Sequence, residues 1–197
     1  MTDKDKPTIT SLVISTSSIT ATGGVIQGFN YVSPPDHEIY RLIGRVAAGW
    51  SNLEHTLDRI IWLLVPGVSS EAACVTSQLM GTAPRYRTII AQLTLRGRQT
   101  ADPIFNKLID RTNKLISSTH GPQEKRNRII HDAWYYDTSR DQHAQFRAWP
   151  AKELRFGIDP VDLQGIESTL ADIEKLYARA EELFTEIKSV ISPPSPH

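Results

Sequence analysis

Ile39, Ile43, Val46, Trp50, Leu53, Leu57, Ile60 and Leu64 recur at alternating spacings of four and three. A helix that turns about 100° per residue gathers such positions onto one stripe. The segment therefore predicts an amphipathic helix of about eight turns with a bundle-like seam. Its start reads as Ser33-Pro34-Pro35-Asp36, a capping hydroxyl, two prolines suited to a first turn, and an acid. Pro66-Gly67 ends it. A stripe of this length has to be covered by other elements.

The remaining chain supplies covers of the same kind. Ser70 is expected to cap a short helix to about Leu79, which Gly81 breaks. Thr82-Ala83-Pro84 opens a helix carrying Tyr86, Ile89, Ile90 and Leu93 that stops near Gly97. Asp102-Pro103 opens another, with Ile104, Leu108, Ile109, Leu115 and Ile116 on its apolar side. Gly121-Pro122 is expected to end that segment and to begin a fifth helix. From Trp134 the pattern becomes strand-like: Trp134-Tyr135-Tyr136, His143 to Trp149, and Glu153 to Ile158. Asp159-Pro160 is expected to cap a last long helix with Leu163, Ile166, Leu170, Ile173, Leu176, Leu183, Ile187 and Ile191 inward. The fold class is an all-α bundle of four principal helices, with a small β-hairpin or meander inserted at about 134–158 before the last helix. Residues 1–32, rich in Ser, Thr and Gly, read as a flexible arm, 33–192 as the helical domain, and 193–197 as a tail.

At 197 residues the chain suits one well-buried domain rather than two. No apolar run approaches the roughly 20 residues that span a bilayer, and the polar start lacks the features of a secretory signal, so a cytoplasmic protein is expected. The single cysteine, Cys74, allows no internal disulfide or cysteine-based metal cluster and reads as a small buried hydrophobe among Ala72, Ala73 and Val75. No metal-ligand spacing, phosphate-binding glycine loop or Ser/His/Asp arrangement occurs, so neither a metal nor a cofactor is expected. Formal net charge is zero. Its distribution is uneven: residues 82–131 hold ten Lys and Arg against three Asp and Glu, an excess of seven positive charges. One basic face follows from that asymmetry, or else a set of ordinary solvated helix faces.

Within the basic segment stands Lys125-Arg126-Asn127-Arg128-Ile129-Ile130-His131. Arginine offers a phosphate a planar fork of donors, and histidine exchanges a proton near neutral pH. Five helical residues turn by about 500°, which sets Arg126 and His131 about 140° apart and about 7.5 Å along the axis. Asn127 and His131, at i and i+4, share a face, so the Asn127 amide is expected to fix the imidazole. With a helix beginning at Gly121-Pro122, the motif would lie near an N-terminus, whose amides and dipole favour a phosphate. Cleavage of an RNA backbone needs a base for the 2′-proton, an acid for the leaving 5′-oxygen and positive charge on the phosphorane. One histidine and one arginine are incomplete for this. Two copies facing each other across a two-fold complete the set, so the chemistry predicts a homodimer.

At these residues the sequence resembles the HEPN superfamily, whose catalytic members carry an arginine, then Asn, Asp or His, and a histidine four to six residues on. The resemblance implies an α-helical, often dimeric bundle and metal-independent endoribonuclease activity by 2′-hydroxyl transesterification, as in toxin–antitoxin or phage-defence systems. It also implies RNA as substrate, an antitoxin or other protein as partner, Arg126 and His131 as catalytic groups, and Asn127 in support. Arg128 and Lys125 would bind substrate. Glu54, beside Trp50 and Leu53, would reach the same site or else be an exposed helix acid. The motif spans six residues, and the β insertion and the arm lie outside a minimal bundle. The alternative is a non-catalytic helical module that binds a protein partner or a nucleotide.

Each of these residues also has a plain structural role to offer. His131 can be a capping or core-edge histidine beside Asp132 and Trp134, and Arg126 a salt-bridge partner. His37, His55 and His143 read as solvated, and His120 as a loop residue. Tyr135, Tyr136, Phe146, Trp149 and Phe156 can stack bases or pack against a helix. Arg85, Arg87, Arg96 and Arg98 can guide an RNA backbone or be ordinary surface residues.

Overall fold

Four long helices close a ring in the computed structural model, which describes residues 38–137, 142–149 and 155–191. The elements are α1 (Glu38–Leu64), α2 (Ser69–Thr76), α3 (Thr82–Thr100), α4 (Ile104–His131), β1 (Trp134–Asp137), β2 (Gln142–Trp149), β3 (Arg155–Pro160) and α5 (Leu163–Ile191). Helix α1 packs on α3 and α5, and α4 packs on the same two, so α1 and α4 sit diagonally across a shared core. The protein is mostly helical with one small antiparallel sheet, order β1-β2-β3. The expected arm, the Ser33-Pro34-Pro35-Asp36 start and the tail lie outside the described residues.

The α1 seam is buried throughout except for half-buried Ile43, and Leu42, Thr56 and Ile61 widen it. Polar ties then fix how the helices meet. Glu181 of α5 accepts hydrogen bonds from buried Thr56 at 2.6 Å and from Arg59 at 2.8 Å, while the Arg59 guanidinium lies 4.0 Å from the Phe184 ring centre. Arg85 of α3 forms a bidentate pair with Asp58 of α1 at 2.7 and 3.1 Å and donates to Gly81 O at 2.8 Å. Between α3 and α4 the Tyr86 hydroxyl meets Thr119 Oγ1 at 2.9 Å. Near Trp50, a Cβ on Gly49 would lie 3.3 Å from Ile173 Cγ2, so glycine allows α1 and α5 their close approach there.

Several boundaries differ from the sequence reading. Gly121-Pro122 does not break the chain: α4 runs through Pro122 as one helix of 28 residues. A proline forfeits one i→i−4 bond. Here buried Leu115 and Thr119 before it and Ile129 after it anchor the same helix to the core. Gln123 is also tied across to Thr82 of α3 at 3.4 Å. Packing outweighs the lost bond. Helix α2 starts after Val68, with no side-chain cap, and ends at Thr76 rather than Leu79. Helix α3 passes Gly97 and stops when Ala101 turns left-handed, φ 56°. Asp159 and Pro160 belong to β3, and Asp162 caps α5 through a bond from the Gln164 amide at 3.1 Å. Cys74 is exposed, because in so short a helix the inward face holds Ala72 and Thr76, one turn apart, and Cys74 lies off it. His143 is buried rather than solvated. It stands opposite Tyr136 across β1 and β2 with the rings 5.0 Å apart.

Candidate functional site

The end of α4 is held by the sheet that follows it. The Arg128 carbonyl accepts from the Asp132 amide at 3.0 Å and from Gln145 Nε2 at 3.2 Å, and the Ile129 carbonyl accepts from Trp134 Nε1 at 2.9 Å. The strands thus satisfy carbonyls that a helix end leaves open. Asp132 then turns extended and His131 becomes the last helical residue. The motif occupies the C-terminal end of α4, not the N-terminal start expected from Gly121-Pro122. The backbone there presents carbonyls and the negative end of the dipole, which oppose an anion. A phosphate at this place has to be held by side chains.

Arg126 faces inward. Its Cζ lies 5.7 Å from the Trp50 ring centre, its Nη1 donates to Asn127 Oδ1 at 3.0 Å, and its Nε is buried with no hydrogen-bond partner. Trp50 is 2% exposed and its indole N–H donates to Glu54 Oε1 at 3.1 Å. Glu54, Trp50, Arg126 and Asn127 therefore form one relay of contacts from α1 to α4. Glu54 is half-buried rather than an exposed acid, and it reaches the arginine through Trp50. Asn127 is engaged with Arg126 and not with His131, which corrects the expected amide–imidazole pair. Trp50 was legible only as core. The missed signal is that a buried indole N–H needs an acceptor, and Glu54 stands one turn on.

His131 is exposed and makes no hydrogen bond or ion pair among the described residues, so it is neither a cap nor a core-edge group. Arg126 and His131 thus occupy different sides of α4 in one chain. Lys125, Arg128 and His131 follow one another at i, i+3 and i+6, so Arg128 lies between the other two on the helix surface. Lys125 lies 3.6 Å from Asp172 of α5, and Arg128 pairs with Glu124 one turn back. Together with Ile129, Gln145, Val161 and Ile166 they line a cavity of about 200 Å³ between α4, β2 and the start of α5.

Of the other basic residues, Arg85 is committed to Asp58, and Arg96 holds the C-terminal Leu64 carbonyl of α1 at 2.8 Å. Those two are structural, while Arg87 and Arg98 are exposed. His120 and His55 are exposed as well, the latter edge-on to Trp62 at 5.6 Å. Tyr135 is buried in the small sheet, in keeping with packing rather than base stacking. The side chains of Trp149 and Phe156 lie outside the described residues. Among the described residues no three His, Cys, Asp or Glu side chains gather to hold a metal, and no helix is long and apolar enough to cross a membrane. No family model, curated protein or solved structure matches the chain.

Proposed function

We propose that the chain is a metal-independent endoribonuclease of HEPN type that works as a homodimer. The observation that carries this reading is the state of Arg126 and His131. Arg126 lies over Trp50 at 5.7 Å with its Nε buried and unpartnered, a costly placement for a cation. His131, nearby on the same helix, has no side-chain partner among the described residues. A buried polar atom left without a partner is a candidate for a catalytic role.

In the proposed mechanism, one His131 imidazole takes the proton from an RNA 2′-hydroxyl. The freed oxygen attacks the adjacent phosphorus, and the second copy's imidazole protonates the departing 5′-oxygen. The Arg126 fork carries the charge of the phosphorane, which needs no metal. Asn127 steadies Arg126, and Glu54 holds the indole on which it rests. The products are a 2′,3′-cyclic phosphate and a 5′-hydroxyl. Because Arg126 and His131 point apart within one chain, two copies are needed to surround one phosphate.

That same divergence favours a second reading, a non-catalytic module whose exposed His131 contacts a protein partner such as an antitoxin. Expression in a bacterial host separates the two. The nuclease reading expects growth arrest with wild type and relief with His131→Ala at equal protein level. Equal growth of both strains contradicts it and favours the binding module.

A further inference from the structure

The cavity beside the motif has a lining that the cleavage chemistry leaves unused. Its volume of about 200 Å³ is several times the ~30 Å³ share of one water. It falls short of the ~300 Å³ at which sites for whole small molecules begin. Such a space takes one planar ring system. Ile129 and Ile166, both buried, and half-buried Val161 give it apolar walls. Gln145, 3% exposed, spends one Nε2 proton on the Arg128 carbonyl, which fixes the amide and leaves Oε1 to accept and the second N–H to donate. Asp162 uses Oδ1 on the Gln164 amide and keeps a second carboxylate oxygen. Thr169 has already given its proton to the Gly165 carbonyl. The polar groups remaining on the walls are therefore mainly acceptors, Gln145 Oε1 and the Asp162 carboxylate, with one Gln145 N–H beside them. At the mouth stand Lys125 and Arg128, with side chains 55% and 43% exposed. Their present partners are solvent-screened pairs that a phosphate readily replaces.

We propose that this cavity is a nucleobase subsite, binding the base of a nucleotide next to the scissile phosphate while Lys125 and Arg128 hold that nucleotide's phosphate. It rests on the ribonuclease reading and adds a specificity to it. The Asp162 carboxylate favours bases with an exocyclic amino group, adenine, cytosine or guanine, over uracil, whose one ring N–H is flanked by carbonyls that a carboxylate repels. Gly165, exposed at the start of α5, lines the cavity, and a Cβ there would meet no atom within 4 Å. A larger side chain at this lining position can thus narrow the cavity without a clash, in a helix where glycine is a poor former to begin with.

The test is calorimetric titration of the full chain with AMP, CMP, GMP and UMP, for wild type and Gly165→Leu, with thermal melts of both. The subsite predicts saturable binding of AMP, CMP and GMP, with UMP about ten-fold weaker for one unmatched acceptor. It also predicts loss of binding in Gly165→Leu at an undiminished melting temperature. Absence of binding by wild type, equal binding of UMP, or wild-type binding by Gly165→Leu overturns it. RNA cleavage assayed alongside keeps the two claims apart. Binding without cleavage leaves the subsite and removes the nuclease. Cleavage whose base preference Gly165→Leu leaves unchanged removes the subsite and leaves the nuclease.

Discussion

Replacing Arg126 with methionine asks whether the guanidinium is there for stability or for chemistry. Methionine keeps an unbranched apolar stem and removes the charge, so packing against Trp50 survives. Burying Nε without a partner costs about 1–3 kcal/mol. Against that stand two modest gains. The contact with the indole, at 5.7 Å, lies at the far edge of the cation–π range and returns about 0.5–1 kcal/mol. The bond to exposed Asn127 at 3.0 Å returns about 0.5–1 kcal/mol more. On balance Arg126→Met is expected to stabilise the fold by up to about 1 kcal/mol while abolishing RNA cleavage. In urea, with a slope of about 2 kcal/mol/M, that gain raises the midpoint by up to about 0.5 M at unchanged slope. A stability gained as activity is lost is the signature of a group held at its site against the interest of the fold. A loss of more than about 1 kcal/mol would refute the reasoning, because Arg126 would then be an anchor between α1 and α4.

Two further expectations concern the scaffold. Asp58→Ala strands the Arg85 guanidinium in a nearly buried site, with side-chain exposures of 11% and 14% for the pair. It is expected to cost about 3–5 kcal/mol in denaturant unfolding, and a loss below about 1 kcal/mol would mean that water or Gly81 satisfies the arginine alone. Burial pushes the Tyr86 hydroxyl up from 10.0 to about 12, partly offset by its bond to Thr119. A group whose folded pKa is raised stabilises the fold below its unfolded pKa and loses that contribution as pH rises through the folded one. Stability on the order of 2–3 kcal/mol should therefore drain away between about pH 10 and pH 12 in wild type. In Tyr86→Phe that part of the decline is absent, and parallel pH profiles of the two proteins would contradict it.

The parts of the fold that could be read from sequence are those where one apolar stripe does the ordering. The α1 seam, the inward residues of α5 and the three strands emerge from spacing alone, because burial of a repeating pattern leaves few alternatives. The errors lie where a local rule met tertiary packing. Gly121-Pro122 satisfies the grammar of a helix break, yet residues on either side face one core and carry the helix through. That single misreading placed at a helix start a motif that in the structure ends its helix, where the backbone presents carbonyls rather than free amides. Cys74 was misjudged because its neighbours are apolar in sequence while the helix turns it outward. At the candidate site, Arg126, Asn127 and His131 were legible as residue types at a spacing. Their partners were not, since the contact of Arg126 with Trp50, which Glu54 holds in turn, joins residues more than seventy positions apart. Only the meeting of α1 and α4 creates it.

The most direct test is incubation of purified wild type and His131→Ala with mixed cellular RNA in EDTA, followed by analysis of the product ends. The account predicts cleavage by wild type alone, leaving 2′,3′-cyclic phosphate and 5′-hydroxyl ends. Intact RNA in the presence of folded, dimeric wild type, or equal cleavage by His131→Ala, would contradict it.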